Sequence, residues 1–114
     1  MEIKDIKAVY FVGAGGIGMS AIARYFIHKG IVVAGYDKTP SELTHQLERE
    51  GVILHYKESV EDIPHACRKP ESCLVIYTPA IPADHKELVY FRDNGFTIEK
   101  RAQVLGTLTR THKG

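Results

Sequence analysis

Gly13, Gly15 and Gly18 fall in a G-x-G-x-x-G spacing inside the stretch VYFVGAGGIGMSAIARYF, residues 9 to 26. The motif follows an apolar run that reads as a strand and opens a run with helical spacing, the context in which these glycines receive a phosphate. Gly13 permits a sharp turn out of the strand, Gly15 lets the backbone approach a bulky anion, and Gly18 allows the helix to pack closely on a sheet. The amides of residues 16 to 19 and the positive end of the helix dipole then converge on one point, which suits a diphosphate. Ser20 adds a hydroxyl donor.

Asp37 lies at the end of the next apolar run, about twenty residues beyond the third glycine, where an acid hydrogen-bonds a ribose. Together the glycines and the acid predict a nucleotide carrying a diphosphate, without naming its base. A nicotinamide-binding domain of an oxidoreductase fits the same residues. So does a nucleotide-free scaffold whose glycines only make a turn.

Other chemistry finds less support. The six histidines include no i, i+4 pair and have no cysteine at ligand spacing, so no metal site is expected. His28 and His45 read as surface residues of helices, Glu61 and Asp62 as part of a solvated loop, and Met19 and Tyr25 as packing residues. No motif marks Ser20 as a nucleophile, and no catalytic residue is assigned. Cys67 and Cys73 fit neither a disulfide framework nor a zinc site and read as reduced thiols, with Cys73 entering a buried strand.

The elements that must position the glycines alternate as strand and helix, which predicts an α/β fold: a Rossmann-like, doubly wound, parallel five-stranded sheet with helices on both faces. The strands are expected at 8–12, 31–37, 52–56, 73–77 and 96–100. A first helix occupies residues 19–30, with Ile22, Phe26 and Ile27 inward and Gly30 at its stop. A second spans 40–50, with Thr39 as N-cap, Pro40 at the first helical position, Glu42 completing a capping box and Gly51 closing it. A third opens on the pair Asp84 and Glu87 and ends at Gly95, and a last helix follows 100. Residues 57–72 read as a loop with one helical turn.

The chain has 114 residues, room for one domain with a core. It is 44% hydrophobic and 25% charged with a net charge of +1, an ordinary globular balance. No concentrated basic face suggests nucleic acid or an anionic membrane. The apolar runs are too short to span a bilayer, the first residues lack a secretory core, and a cytoplasmic location is the default expectation.

Four segments together resemble the Mur ligases of peptidoglycan synthesis: FVGAGGIGMSAIA with its extra Gly16 and Met19-Ser20, GYDKT, YTPAIPADHKEL and EKRAQVLG. They match in order and separation across nearly the whole chain, and look most like the member that adds L-alanine. The member that attaches a whole tripeptide to the same nucleotide is the alternative within the family.

The resemblance implies that residues 1–114 are the N-terminal, UDP-binding domain of a three-domain enzyme, and that the chain is a fragment expected to be inactive alone. The ATP-binding and C-terminal domains of the same polypeptide would be its partners, and ATP and magnesium would act there; no cofactor is implied for this domain. The chain contains no G-K-[ST] phosphate loop. In the whole enzyme, ATP would phosphorylate the lactyl carboxylate of UDP-N-acetylmuramate, and the amine of L-alanine would attack the acyl phosphate.

The implied cradle for the diphosphate is the amides of Gly15, Gly16, Ile17, Gly18 and Met19 with Ser20, on the turn made by Gly13. Asp37 would hold the uridine part, the loop of Thr78, Pro79, Ala80 and Ile81 would line the same crevice, and Arg101 would reach a phosphate or the muramoyl side. Two departures stand out. Thr78-Pro79 replaces a pair of serines, and Lys57-Glu58 stands where many members carry Gly-His, so no contact from that histidine transfers.

Overall fold

The computed structural model describes residues 5–13, 17–78 and 81–100. Ten residues of apolar sequence set its centre: β1 (Ala8–Val12) and β4 (Cys73–Tyr77) lie side by side, and nine of the ten are buried. A strand reads as a continuous apolar run only when both faces of its sheet are covered, and both are.

The five strands form one parallel sheet in the order β3-β2-β1-β4-β5, with β2 at Val32–Tyr36, β3 at Ile53–His55 and β5 at Thr97–Lys100. On one face Val9, Phe11, Leu74 and Ile76 pack beneath α1 (Ile17–His28) and α2 (Glu42–Arg49). On the other, Ala8, Tyr10, Val12 and Val75 are covered by α3 (Lys86–Asp93) and by a segment containing two 3-10 turns, Val60–Asp62 and His65–Arg68. The doubly wound five-stranded architecture is the one expected from sequence.

α1 begins two residues earlier than its pattern suggested. It buries Ile22 and Phe26 fully and Ile27 in part, and Gly30 closes it at φ 76°. Met19 is fully buried in the same cluster, so its side chain packs, as its sequence setting indicated. His28 and His45 are exposed on their helices, and Glu61 and Asp62 are exposed in the loop. Cys67 and Cys73 are both free and buried.

The starts of the other two helices also differ from expectation. The N-cap of α2 is Ser41, not Thr39, and Pro40 stays outside the helix. Ser41 Oγ accepts from the Thr44 N–H at 3.2 Å while Thr44 Oγ1 accepts from the Ser41 N–H at 2.8 Å. Thr44 thus takes the part assigned to Glu42, and its burial favours the later start. The N-cap of α3 is His85, whose Nδ1 accepts from the Glu87 N–H at 3.2 Å; Asp84 is an exposed turn residue. Glu87 does not reach back to a cap, because its side chain is buried in the domain. The helix expected after residue 100 lies outside the described residues.

Candidate nucleotide-binding edge

In a parallel sheet the strand ends share one edge, and the register defines a row along it. His55, Tyr36, Val12, Tyr77 and Lys100 are aligned across all five strands at their carboxyl ends. Chain order reverses between β1 and β4, the switch point at which such sheets open a crevice for a ligand. Gly13 is the first residue past β1, so the glycine motif stands at that switch.

Gly13 adopts φ 95°, a conformation that side-chain-bearing residues rarely take. A Cβ there would lie 3.1 Å from Thr78 Oγ1 and 3.3 Å from Ile81 Cγ1, so the turn after β1 and the loop after β4 close on each other at this glycine. The Gly13 N–H donates to the Tyr36 carbonyl at 2.7 Å. Gly13 therefore serves through conformation, and its amide is committed to the sheet.

Ile17 and Gly18 open α1, whose first turn holds no acidic residue. The positive end of this helix is left without a local carboxylate, unlike those of α2 and α3, which carry Glu42 and Glu87. Ser20 is buried within this helix. Asp37 is half-buried one residue past β2; its N–H donates to the His55 carbonyl at 3.2 Å, and its Oδ1 accepts from the Lys38 N–H at 2.8 Å. The structure thus brings Gly13, Ile17, Gly18, Ser20, Asp37, Thr78 and Ile81 to one edge. Gly15, Gly16, Ala80 and Arg101 lie outside the described residues.

Beneath this edge sits a polar cluster that sequence reasoning missed. Glu87 is fully buried, and its carboxylate accepts from the Tyr10 hydroxyl, from His55 Nε2 at 2.8 Å and from the Ser59 N–H at 2.9 Å. Burial, followed by the Glu87 charge and hydrogen bond, pushes the Tyr10 phenol far above its ordinary range, so Tyr10 stays a donor. Glu58 accepts from the Lys86 N–H and supplies a cap to α3 from a distant loop. A signal existed: Glu87 precedes Phe91 by one helical turn on the inward face, and Tyr10 is the one hydroxyl-bearing residue of β1.

Among the described residues no group of three His, Cys, Asp or Glu side chains could hold a metal ion, and no helix is long and apolar enough to cross a membrane. The edge offers backbone donors, a hydroxyl and a carboxylate around a conformationally demanding turn. Groups of this kind can bind and orient an anionic ligand.

Comparison with known proteins gives the edge its family. The model of the Mur ligase family, catalytic domain, matches residues 8–113. The UDP-N-acetylmuramate--L-alanine ligase of Phocaeicola vulgatus is 60% identical over 114 residues, which is 100% of this chain and 25% of that protein. The crystal structure of the UDP-N-acetylmuramate-alanine ligase of Thermotoga maritima superposes with a TM-score of 0.80 at 34% identity, covering 93% of this chain and 24% of that one. The crystal structure of UDP-N-acetylmuramate:L-alanyl-gamma-D-glutamyl-meso-diaminopimelate ligase from Neisseria meningitides shares the fold at a TM-score of 0.71 and 17% identity, covering 88% of this chain and 30% of that one. The chain spans about a quarter of the length of the curated relatives it matches. With the family model covering nearly all of its sequence, the chain belongs to the Mur ligase family.

Proposed function

We propose that this chain holds the UDP portion of UDP-N-acetylmuramate for an ATP-dependent ligase that adds L-alanine in peptidoglycan synthesis. The observation that carries the reading is the closure of Gly13 against Thr78 and Ile81 at the switch point, with Asp37 one strand away. The name and 60% identity of the Phocaeicola vulgatus relative support UDP-N-acetylmuramate as the ligand and favour alanine over a tripeptide as the acceptor.

On this reading residues 1–114 are the N-terminal nucleotide-binding domain of a cytoplasmic enzyme. The ATP-binding and C-terminal domains of the same polypeptide supply ATP, magnesium and the acceptor site. The first-turn amides of α1, together with those of Gly15 and Gly16, cradle the diphosphate. Ser20 adds a hydroxyl, Asp37 holds the uridine part, Ala80 completes the loop of Thr78 and Ile81, and Arg101 reaches a phosphate or the muramoyl side. The carboxylate that reacts is remote from these contacts. Anchoring the nucleotide converts remote binding energy into orientation of the reacting end, which lowers a barrier without any proton transfer in this domain.

Calorimetric titration with UDP, UDP-N-acetylmuramate and NADH tests the reading. Heat of binding from both uridine nucleotides and none from NADH is expected. NADH binding without a UDP response would replace the reading with that of an oxidoreductase domain.

A further inference from the structure

Cys67 and Cys73 are free thiols, fully buried in one cluster on the face of the sheet covered by α3. Cys73 opens β4, and Cys67 sits in the 3-10 turn His65–Arg68 of the segment that crosses from β3 to β4. The Ser72 and Cys73 N–H groups both donate to the Lys69 carbonyl, at 3.1 and 3.0 Å, which turns the chain back and lays the 3-10 turn on β1, β2 and β4. Cys67 Sγ stands 4.0 Å from the Val9 carbonyl oxygen, and Val9 adjoins Ala8, the register partner of Cys73. The two thiols share a hydrogen bond.

The two cysteines differ in what holds them. Cys73 belongs to a strand with a neighbour on each side. Cys67 is carried by a segment whose regular structure is two 3-10 turns, braced from within by Arg68, which donates to the Ile63 carbonyl at 3.0 Å and the Val60 carbonyl at 2.7 Å. Hydrogen bonds of 3-10 geometry are poorer than those of an α-helix, so this segment opens at a lower free energy than the sheet beneath it. With the segment closed neither sulfur is accessible; opening exposes Cys67, and closing returns it to Cys73.

We propose that Cys67 and Cys73 are a redox latch, which a small-molecule disulfide such as oxidised glutathione converts to an internal disulfide that pins the crossover segment to the sheet. In the open state the Cys67 thiolate attacks the small disulfide, so that a mixed disulfide forms and one thiolate is expelled. On closing, the Cys73 thiolate attacks the Cys67 sulfur and expels the second. The two protons given up by the cysteines go to the two expelled thiolates, and one small disulfide becomes two thiols. The reduced pair is the resting state where thiols predominate. The same segment begins beside Glu58 and Ser59, which hold the start of α3, so the oxidised state also restrains those contacts. The latch does not depend on the nucleotide reading.

Cysteines so near in sequence also pair in an unfolded chain, so the test compares the two states. The whole chain is brought to equilibrium in buffers of reduced and oxidised glutathione, with and without denaturing urea, then quenched with acid and weighed by mass spectrometry. The effective concentration of one thiol toward the other is expected to be about tenfold or more higher in the folded chain. By linkage, the internal disulfide then raises the melting temperature by roughly 4–8 °C. Hydrogen exchange is expected to slow at Ile63 and Cys67, whose N–H groups donate to the Val60 and Pro64 carbonyls. An effective concentration no higher in the folded chain than in urea, glutathione adducts or chain-to-chain disulfides in place of the internal bond, or unchanged exchange at Ile63 and Cys67 would each overturn the latch.

Discussion

The backbone N–H of Ser59 donates to the buried carboxylate of Glu87 at 2.9 Å. One residue earlier in each segment the direction reverses, with the Lys86 N–H donating to Glu58. This reciprocal pair bolts the loop after β3 to the start of α3, and so fixes the loop after β4, which ends there, relative to the ends of β2 and β3. The loops after β3 and β4 are thereby tied to each other across the carboxyl edge of the sheet.

Removing the Glu87 carboxylate should be among the costliest single changes in the domain. Glu87→Ala removes the acceptor shared by the buried Tyr10 hydroxyl, His55 Nε2 and the half-buried Ser59 N–H, and is expected to cost about 3–5 kcal/mol. Glu87→Gln keeps an acceptor oxygen and should cost about 1–3 kcal/mol, and Tyr10→Phe about 1–2 kcal/mol. Urea unfolding midpoints at constant m-value provide the check. Equal losses for the Ala and Gln variants would show that the hydrogen bonds contribute little.

The raised Tyr10 ionisation makes stability fall on the alkaline side. An unfolded phenol titrates near 10.0, while burial and Glu87 make the folded state hold the proton more tightly. Stability from this group is therefore whole below pH about 10 and declines as pH rises past it. Tyr36 and Tyr56 are also raised, chiefly by burial, and act in the same direction. Phenolate absorbance and circular dichroism followed together should show Tyr10 ionising only as the fold is lost. Tyr10→Phe should flatten the decline, and an unaltered slope in that variant would refute the assignment.

Gly35 is required by its neighbour strand. A Cβ there would stand 2.7 Å from the Phe11 carbonyl oxygen, a backbone atom that cannot turn aside. Gly35→Ala is expected to cost about 1–3 kcal/mol through forced strand separation. At Gly30, where a Cβ meets nothing within 4 Å, Ala carries only the strain of its positive φ, about 1 kcal/mol. Thermal melting of the two variants ranks them, and a milder loss at Gly35 would contradict the close approach.

The thiols should be silent until the fold opens. Hydrogen bonding with Cys67, then burial, pushes the Cys73 thiol far above its usual range, and both cysteines are buried. Iodoacetamide followed by mass spectrometry should find no adduct on the folded chain at neutral pH and two once it is unfolded. Rapid native labelling of Cys73 would mean that the core around it opens locally.

The legible parts of this fold were those set by local chemistry. β1 and β4 could be read to the residue because their apolar runs end in glycine or polar loops, and the turn at Gly13 because three glycines and a helical run stand in sequence. The start of α2 was misread because two cap candidates lie two residues apart, and the choice turned on the burial of Thr44, a tertiary fact. Glu87 was misread for the same reason. Its partners Tyr10 and His55 are 77 and 32 residues away, beyond any local pattern. That Gly13, Asp37, Thr78 and Ile81 would share one sheet edge was legible from motif order, while the cluster beneath that edge became visible only in three dimensions.

The central claim is that UDP sits on the turn between β1 and α1 and reaches toward Asp37. Backbone amide chemical shifts, followed by NMR as UDP is added to the chain, test it most directly. The largest shifts are expected at residues 15–20, at Asp37 and around Thr78 and Ile81, with the amides of α2 little changed. Saturating UDP that leaves the 15–20 amides unmoved, or that moves a different edge of the sheet, would contradict it.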